Sequence, residues 1–184
     1  FRLKDNDGAV QAAQAALAID PGNVDANVVS AVIKYAKGDT AAALSTLSQV
    51  NPKGKDDLGV LFLKVNILDH IGNLAEAETL LRRLIELYPK EPAFRAQLIK
   101  FFVAHKRDDD AIKELRASAA ANPDDVSAEM NLVNLLRVTK GADAARSELV
   151  SRIGAGGKVF PYQIALARFD FSLGHVDDSV KLLK

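Results

Sequence analysis

The fold is decided by the stretch Gly72–Pro89, which reads GNLAEAETLLRRLIELYP. A glycine turn leads into a helix whose apolar side chains recur with a 3.6-residue period. These side chains are Ala77, Leu80, Leu81, Leu84 and Leu87. Pro89 ends the helix, because proline has no N–H to continue the hydrogen-bond ladder. A short helix with a single apolar stripe is not stable alone in water, so the stretch predicts partner helices.

Copies of this stretch recur at a fixed interval of about 34 residues. Equal steps from Ala77 reach a small residue each time: Ala9, Ala43, Ala111, Ala145 and Ser179. We expect Ala43, Ala77, Ala111 and Ala145 to be buried where the two helices of a repeat cross. Turns recur at the same interval, at Gly38, Gly72, Lys106, Lys140 (with Gly141 beside it) and Gly174. A fixed period of this size is typical of a stacked repeat array rather than of one closed core.

With these marks the chain resembles the tetratricopeptide repeat (TPR) family, whose repeat is two antiparallel helices, A and B, in about 34 residues. The matching marks are the glycine at the A–B turn, the small residue early in helix B, and a closing pair that ends in proline. These pairs are Asp20-Pro21, Asn51-Pro52, Tyr88-Pro89 and Asn122-Pro123. The sequence departs from the family in two ways: no helix A has an early Trp, and Lys64 stands where a buried Leu is expected. The resemblance covers essentially the whole chain and implies an all-α, right-handed α-solenoid of antiparallel helix pairs, a TPR-like superhelix.

One solenoid domain over residues 1–184 is expected, and the period places its repeats. They are 1–22 (partial), 24–57, 58–91, 92–125, 126–158 and 159–184 (partial). The first helices are predicted at 8–19, 24–37 and 40–50. Because the chain starts and stops inside repeats, we expect a segment of a longer bacterial-type array. The glycine-rich run Gly154–Gly157 predicts a flexible joint before the last repeat.

Composition excludes several classes of function. The 24 basic residues equal the 24 acidic ones, so no global field attracts nucleic acid or an anionic membrane surface. The absence of cysteine rules out disulfides, thiolate metal sites and a cysteine nucleophile. No apolar run approaches the roughly 20 residues of a membrane span, so direct insertion into a membrane is not expected.

Residues that could carry catalysis or bind a metal lie in solvated turns and helix starts. The histidines, His70, His105 and His175, fall at A–B turns of different repeats, where their side chains do not aim at a common point. The run Asp108–Asp110 is interpreted as a helix N-cap, where carboxylates meet the positive end of the helix dipole. No serine has a histidine within reach, and there is no nucleophile elbow or Walker loop. We therefore expect no catalytic, cofactor-binding or metal site.

The A helices carry the candidate binding residues. In the TPR family these helices line the concave face. The resemblance therefore places a binding groove along the stripe of each A helix that does not face the core. Three positions per helix, at i, i+4 and i+7, share that face, and their residue types mix aromatics, amides and charges where a core would be uniformly small or apolar. The candidates are Tyr35, Phe62, Asn66, Asp69, Lys100, Met130, Asn134, Arg137, Arg168 and Phe171. A merely solvent-exposed stripe is the alternative, but Phe62, Met130 and Phe171 would be poor choices for plain solvent.

One TPR subtype holds a terminal carboxylate with a Lys/Asn/Asn/Lys/Arg clamp on three successive A helices. In this chain the corresponding side chains are Phe62, Asn66, Gln97, Ser127 and Asn131. Starting one repeat later reproduces the clamp no better. A chaperone-tail adaptor is therefore disfavoured.

The sequence favours a non-enzymatic interaction module that holds a protein or peptide segment in the groove. The alternative is a structural spacer in a larger assembly, such as a cell-envelope export or polysaccharide-secretion apparatus, and an enzyme is a remote third option. No cofactor and no nucleic-acid partner are expected. End-to-end self-association is expected at high concentration, because the partial terminal repeats leave apolar surface without full cover.

Overall fold

A computed structural model describes residues 6–121, 125–156 and 159–182, and every regular element in these ranges is a helix. The α-helices are α1 (Asn6–Ile19), α2 (Val24–Ala36), α3 (Thr40–Ser48), α4 (Leu58–His70), α5 (Leu74–Leu87), α6 (Pro92–Ala104), α7 (Asp108–Ala121), α8 (Val126–Thr139), α9 (Ala142–Gly154), α10 (Val159–Ser172) and α11 (Val176–Lys181). A short 3-10 helix, Pro52–Asp56, links α3 to α4. The all-α class expected from the sequence is confirmed.

The helices follow the expected alternation of A and B. The A helices are α2, α4, α6, α8 and α10, and the B helices are α1, α3, α5, α7, α9 and α11. The ends of the first three helices differ from the predicted ends by two residues at most. Local capping stabilises the starts of α2, α3 and α4, because Asn23, Asp39 and Asp57 each accept a backbone N–H from the helix that follows.

Contacts divide the chain into two compact units, Phe1–Leu98 (unit 1) and Ile99–Lys184 (unit 2). In unit 1, α2 packs on α1, α3 and α4, and α4 packs on α5. A core cluster of unit 1 consists of Ala31, Ala43, Leu47, Val50, Val60 and Ile67. In unit 2, each helix from α7 to α11 packs on its neighbour in sequence. The core cluster of unit 2 consists of Ile112, Leu115, Leu132, Val133, Leu136, Ala145, Leu149, Tyr162 and Leu166. The single solenoid over 1–184 stays a prediction.

The small residue of each repeat is buried where helix B meets its partners. Ala43, Ala77, Ala111 and Ala145 are all 0% exposed, and Ser179 is 6% exposed. The prediction from the repeat period is therefore confirmed at these positions, where a larger side chain would have no room. Ala9 differs, since it is exposed. It lies in α1, which no described helix precedes.

The A–B turns depend on one residue with a left-handed backbone. The φ angles are +85° at Gly38, +77° at Gly72 and +83° at Gly174. In the turn between α8 and α9 this residue is Gly141, with φ +93°, because α8 runs to Thr139, one residue further than the period places its end. The turn between α6 and α7 has no glycine, and Lys106 itself adopts φ +56°.

The predicted joint lies partly inside the described ranges. Gly154 is the last residue of α9, and Gly156 has φ +81°, a conformation that glycine adopts without strain. Gly157 and Lys158 lie outside the described residues. Flexibility at this joint stays a prediction.

Candidate partner-binding face

The central row of the predicted stripe is exposed on all five A helices. It has one residue per helix: Val32, Asn66, Lys100, Asn134 and Arg168. These residues share a position of the repeat, so each A helix presents the same face to solvent. The row mixes an aliphatic side chain, two amides and two cations.

The row on one side of the central row is half-buried. Val28, Phe62, Met130 and Ile164 are partly covered, whereas Ala96 is exposed. The ring of Phe62 lies 6.3 Å from that of Phe94, and Met130 packs against the core cluster of unit 2. Phe62 and Met130 therefore contribute to packing as well as to the surface, which accounts for part of their apolar character.

The row on the other side changes along the chain. In unit 1, Tyr35 and Asp69 are half-buried, and the Tyr35 ring meets the edge of His70 at 5.8 Å. In unit 2, Arg137 is exposed and Phe171 is 65% exposed. Phe171 is thus the predicted anchor that contributes least to the core. We name the ten candidate residues and Val32 together the A-helix face, and treat it separately in each unit.

Two carboxylates of the A helices in unit 2 point inward and pair with arginines of α9. Asp170 is 0% exposed and accepts two hydrogen bonds from Arg146, from Nε at 2.7 Å and from Nη2 at 3.1 Å. This hydrogen bonding raises the pKa of the Arg146 guanidinium. Glu129 is also buried, and Arg152 Nε lies 2.7 Å from its Oε1. Burial raises the pKa of Glu129, although the charge of Arg152 opposes the shift.

Sequence reasoning missed these two pairs, although the repeat contained a signal. Asp170 occupies the position that Leu68, Phe102 and Leu136 fill in other repeats, and those three side chains are buried. A carboxylate at a core position requires a cationic partner. For Asp170 this partner, Arg146, lies on the preceding helix B. The repeat period alone does not identify it.

Lys64 also departs from the repeat pattern, and in this case the sequence alone indicates the departure. Its repeat equivalents Leu98, Leu132 and Leu166 are buried, and Lys64 itself is half-buried. Burial lowers the pKa of its amine, and the nearby charge of Glu76 opposes the shift. The aliphatic stem of lysine can cover apolar surface while its amine reaches water.

Possible metal ligands are not clustered in the described part of the chain. Within the described ranges no group of three or more His, Asp or Glu side chains is arranged to hold a metal ion. His105 lies beside Phe101, with ring centroids 4.7 Å apart, and His175 directly precedes α11 without a capping hydrogen bond from its side chain. None of the helices in the part of the chain that the structure describes is long and apolar enough to cross a bilayer.

Two open clefts occur at equivalent places in the repeat. One, of about 330 Å³, is lined by residues of α9, α10 and α11, and the other, of about 170 Å³, by residues of α1 and α2. The first includes Arg146, Val150, Ile153 and Leu166, which occupy the same repeat positions as Val10, Gln14, Leu17 and Ser30 of the second. No predicted groove residue lines either cleft. The A-helix face and the clefts are therefore separate surfaces.

Comparison with known proteins identifies the repeat. The family model described as tetratricopeptide repeat matches residues 1–61 and 71–149. No curated protein matches the chain.

Several solved structures share the arrangement of helices. The structure of Naa15/Naa10 bound to HypK-THB superposes with a TM-score of 0.64 at 14% identity, covering 98% of this chain and 29% of that chain. YrrB, a TPR protein with an unusual peptide-binding site, gives 0.54 at 12% identity over 95% of this chain and 90% of YrrB. PilF of Pseudomonas aeruginosa gives 0.54 at 18% identity, with coverage of 96% and 88%. At these identities the likeness shows the fold alone, and this chain spans less than a third of the Naa15/Naa10 chain.

Proposed function

We propose that this chain, which belongs to the tetratricopeptide repeat family, binds a protein or peptide segment along its A-helix face. TPR domains generally serve as non-enzymatic protein–protein interaction modules. The observation that carries the proposal is the central row, which is exposed on every A helix yet chemically varied. If the central row faced only solvent, a large apolar side chain beside it would be a poor choice, yet Phe171 on α10 is 65% exposed there.

The A-helix face offers two kinds of contact. Phe62, Met130 and Phe171 would be apolar anchors, since binding energy at interfaces concentrates in a few large side chains. The side chains of Asn66 and Asn134 can both donate and accept hydrogen bonds, and their exposure leaves them accessible to a peptide backbone. Tyr35, Asp69, Lys100, Arg137 and Arg168 would add directional or charged contacts.

Two structural neighbours are consistent with this role. The Naa15/Naa10 structure contains bound HypK-THB, and YrrB is described as having a peptide-binding site. These partners belong to those proteins. For this chain they support only the general expectation that a helical repeat of this kind binds a polypeptide.

Site-specific photocrosslinking tests the proposal directly. A photoreactive amino acid is placed at Asn66 or Asn134 on the A helices, and in matched controls at Ala75 of α5 or Ser147 of α9. All four positions are exposed. In an extract of the source organism, we expect a partner to crosslink from the A-helix positions and not from the B-helix controls.

Thermal melting must first show that each labelled chain is folded. Equal crosslinking from A and B positions, or none from the A positions, would refute the A-helix face as the binding surface. The spacer interpretation would then be favoured, and it predicts that function depends on the number of repeats rather than on any surface residue.

A further inference from the structure

On the A helices of unit 2, Lys100, Arg137 and Arg168 are exposed, whereas the carboxylates are buried. Lys100 on α6, Arg137 on α8 and Arg168 on α10 are all exposed. Within the described part of unit 2, none of these three cations has an ion-pair partner, whereas Lys140, Arg116 and Lys181 each do. Three cations without an ion-pair partner among the described residues therefore lie on successive A helices.

Acidic groups on the same helices do not offset these cations at the surface. α6 has no Asp or Glu, α8 has only Glu129, and α10 has only Asp170. Both carboxylates are buried and paired with arginines of α9, as described above. Apart from Asp125, which caps the start of α8, the exposed carboxylates among the described residues of unit 2 lie on the B helices: Asp109, Asp143, Asp177 and Asp178. Because the whole chain has no net formal charge, the positive A-helix face of unit 2 results from how the charges are placed.

Exposed apolar side chains lie among the cations. Phe171 is 65% exposed and follows Arg168 by three residues, and Val103 is 42% exposed and follows Lys100 by three. Residues three apart on a helix are neighbours on its surface. Val138 on α8 is 74% exposed, but as the residue directly after Arg137 it points to a different side of the helix. On α6 and α10 the surface therefore places an exposed apolar group beside the cation.

We infer that unit 2 binds an acidic polypeptide segment in which carboxylates alternate with apolar side chains, an inference that rests on the proposed function. Exposed ion pairs each contribute less than about 1 kcal/mol, so the apolar contacts would supply most of the affinity. The charges would select the partner and speed its association, and both effects weaken in salt. A nucleic acid fits less well, since three cations neutralise few phosphates.

Defined peptides test this inference. The probes are a fluorescent peptide that repeats Glu-Leu-Asp-Leu, the isosteric Gln-Leu-Asn-Leu peptide of the same length, and oligothymidylate. Binding to the full chain is measured by fluorescence anisotropy at low and at high salt. We expect the acidic peptide to bind at least about tenfold more tightly than the neutral one at low salt, with most of this difference lost at high salt.

A pair of matched variants locates the binding surface. Arg137→Glu with Arg168→Glu reverses two cations of the A-helix face, and Lys113→Glu with Lys181→Glu reverses two exposed cations of the B helices. Both variants change the net charge equally. We expect the first to weaken binding of the acidic peptide about tenfold or more, and the second to change it less than about twofold. The salt dependence of peptide binding is measured on the unmodified chain, so this result stands even if one of the variants does not fold.

The remaining outcomes separate failure of this inference from failure of the proposed function. Equal weakening by both variants, equal binding of the two peptides, absence of peptide binding, or tighter binding of oligothymidylate would overturn the acidic-segment inference. If the chain crosslinks a partner through Asn134 but shows no preference for the acidic peptide, the proposed function stands and only this inference fails. Loss of the crosslinks from the A-helix positions would instead refute the proposed function.

Discussion

At the scale of single residues, the A–B turn shows that a residue can adopt a backbone conformation that its own side chain disfavours. Most of these turns place glycine at the left-handed position, which costs glycine nothing. Lys106 adopts the same conformation with φ +56°. For a residue with a Cβ atom the left-handed region costs roughly 1–2 kcal/mol, because Cβ approaches the following carbonyl oxygen. The turn between α6 and α7 therefore forms despite local strain.

Replacing this lysine should stabilise the protein. We expect Lys106→Gly to raise the free energy of unfolding by about 1 kcal/mol, since the relief of strain exceeds the added freedom of glycine in the unfolded chain. Urea denaturation measures the change. Lys140→Gly is the control: Lys140 occupies the same repeat position but has φ −119°, so its replacement should not stabilise. A gain of equal size from both substitutions would mean that backbone strain is not the cause.

At the scale of helices, the contact between α9 and α10 relies on an ion pair where the equivalent contact between α7 and α8 is apolar. Arg146 and Asp170 are the repeat equivalents of Ile112 and Leu136, both of which belong to the core cluster of unit 2. Burying a carboxylate costs much of the attraction it gains, so such a pair adds little net stability. Removing one partner is different, because it leaves a buried charge without compensation. The side chain of Arg146 is 36% exposed and that of Asp170 is 0% exposed, so the carboxylate depends more on its partner.

A comparison of three variants should show this dependence. We expect Arg146→Ala to lower the free energy of unfolding by about 3 kcal/mol, because Asp170 is left buried and unpaired. Arg146→Leu with Asp170→Leu, which restores the apolar type of contact, should cost clearly less than Arg146→Ala. Arg116→Ala, which removes the more exposed Arg116–Glu148 pair, is the control and should cost less than about 1 kcal/mol. If the double leucine variant is the least stable of the three, the two positions are not interchangeable with an apolar contact.

At the scale of the whole molecule, helices contact mainly their neighbours in sequence. In repeat arrays stability is then approximately a sum of local terms, and a local defect need not spread. Ala77 is 0% exposed in α5, so a larger side chain there has to displace its neighbours.

Hydrogen exchange can test whether a defect stays local. We expect Ala77→Leu to cost roughly 1–3 kcal/mol and to accelerate amide exchange in α4 and α5 more than in α8 and α9. Ala75→Leu places the same side chain at an exposed position of α5 and should leave exchange nearly unchanged. Uniform acceleration across both units would show that the chain unfolds as one cooperative body.

The sequence by itself determined the repeat, the order of A and B helices, the buried small residues such as Ala77, and the exposed central row. These features follow from two periods, about 3.6 residues for the helix face and about 34 residues for the repeat, and both can be measured along the chain without knowing any contact. Only the tertiary structure decided how far Phe62 and Met130 are covered, and that the left-handed residue before α9 is Gly141. It also decided that Asp170 turns inward to Arg146, 24 residues away. Burial, helix ends and ion pairs depend on which side chains face each other across helices, and that information is not local.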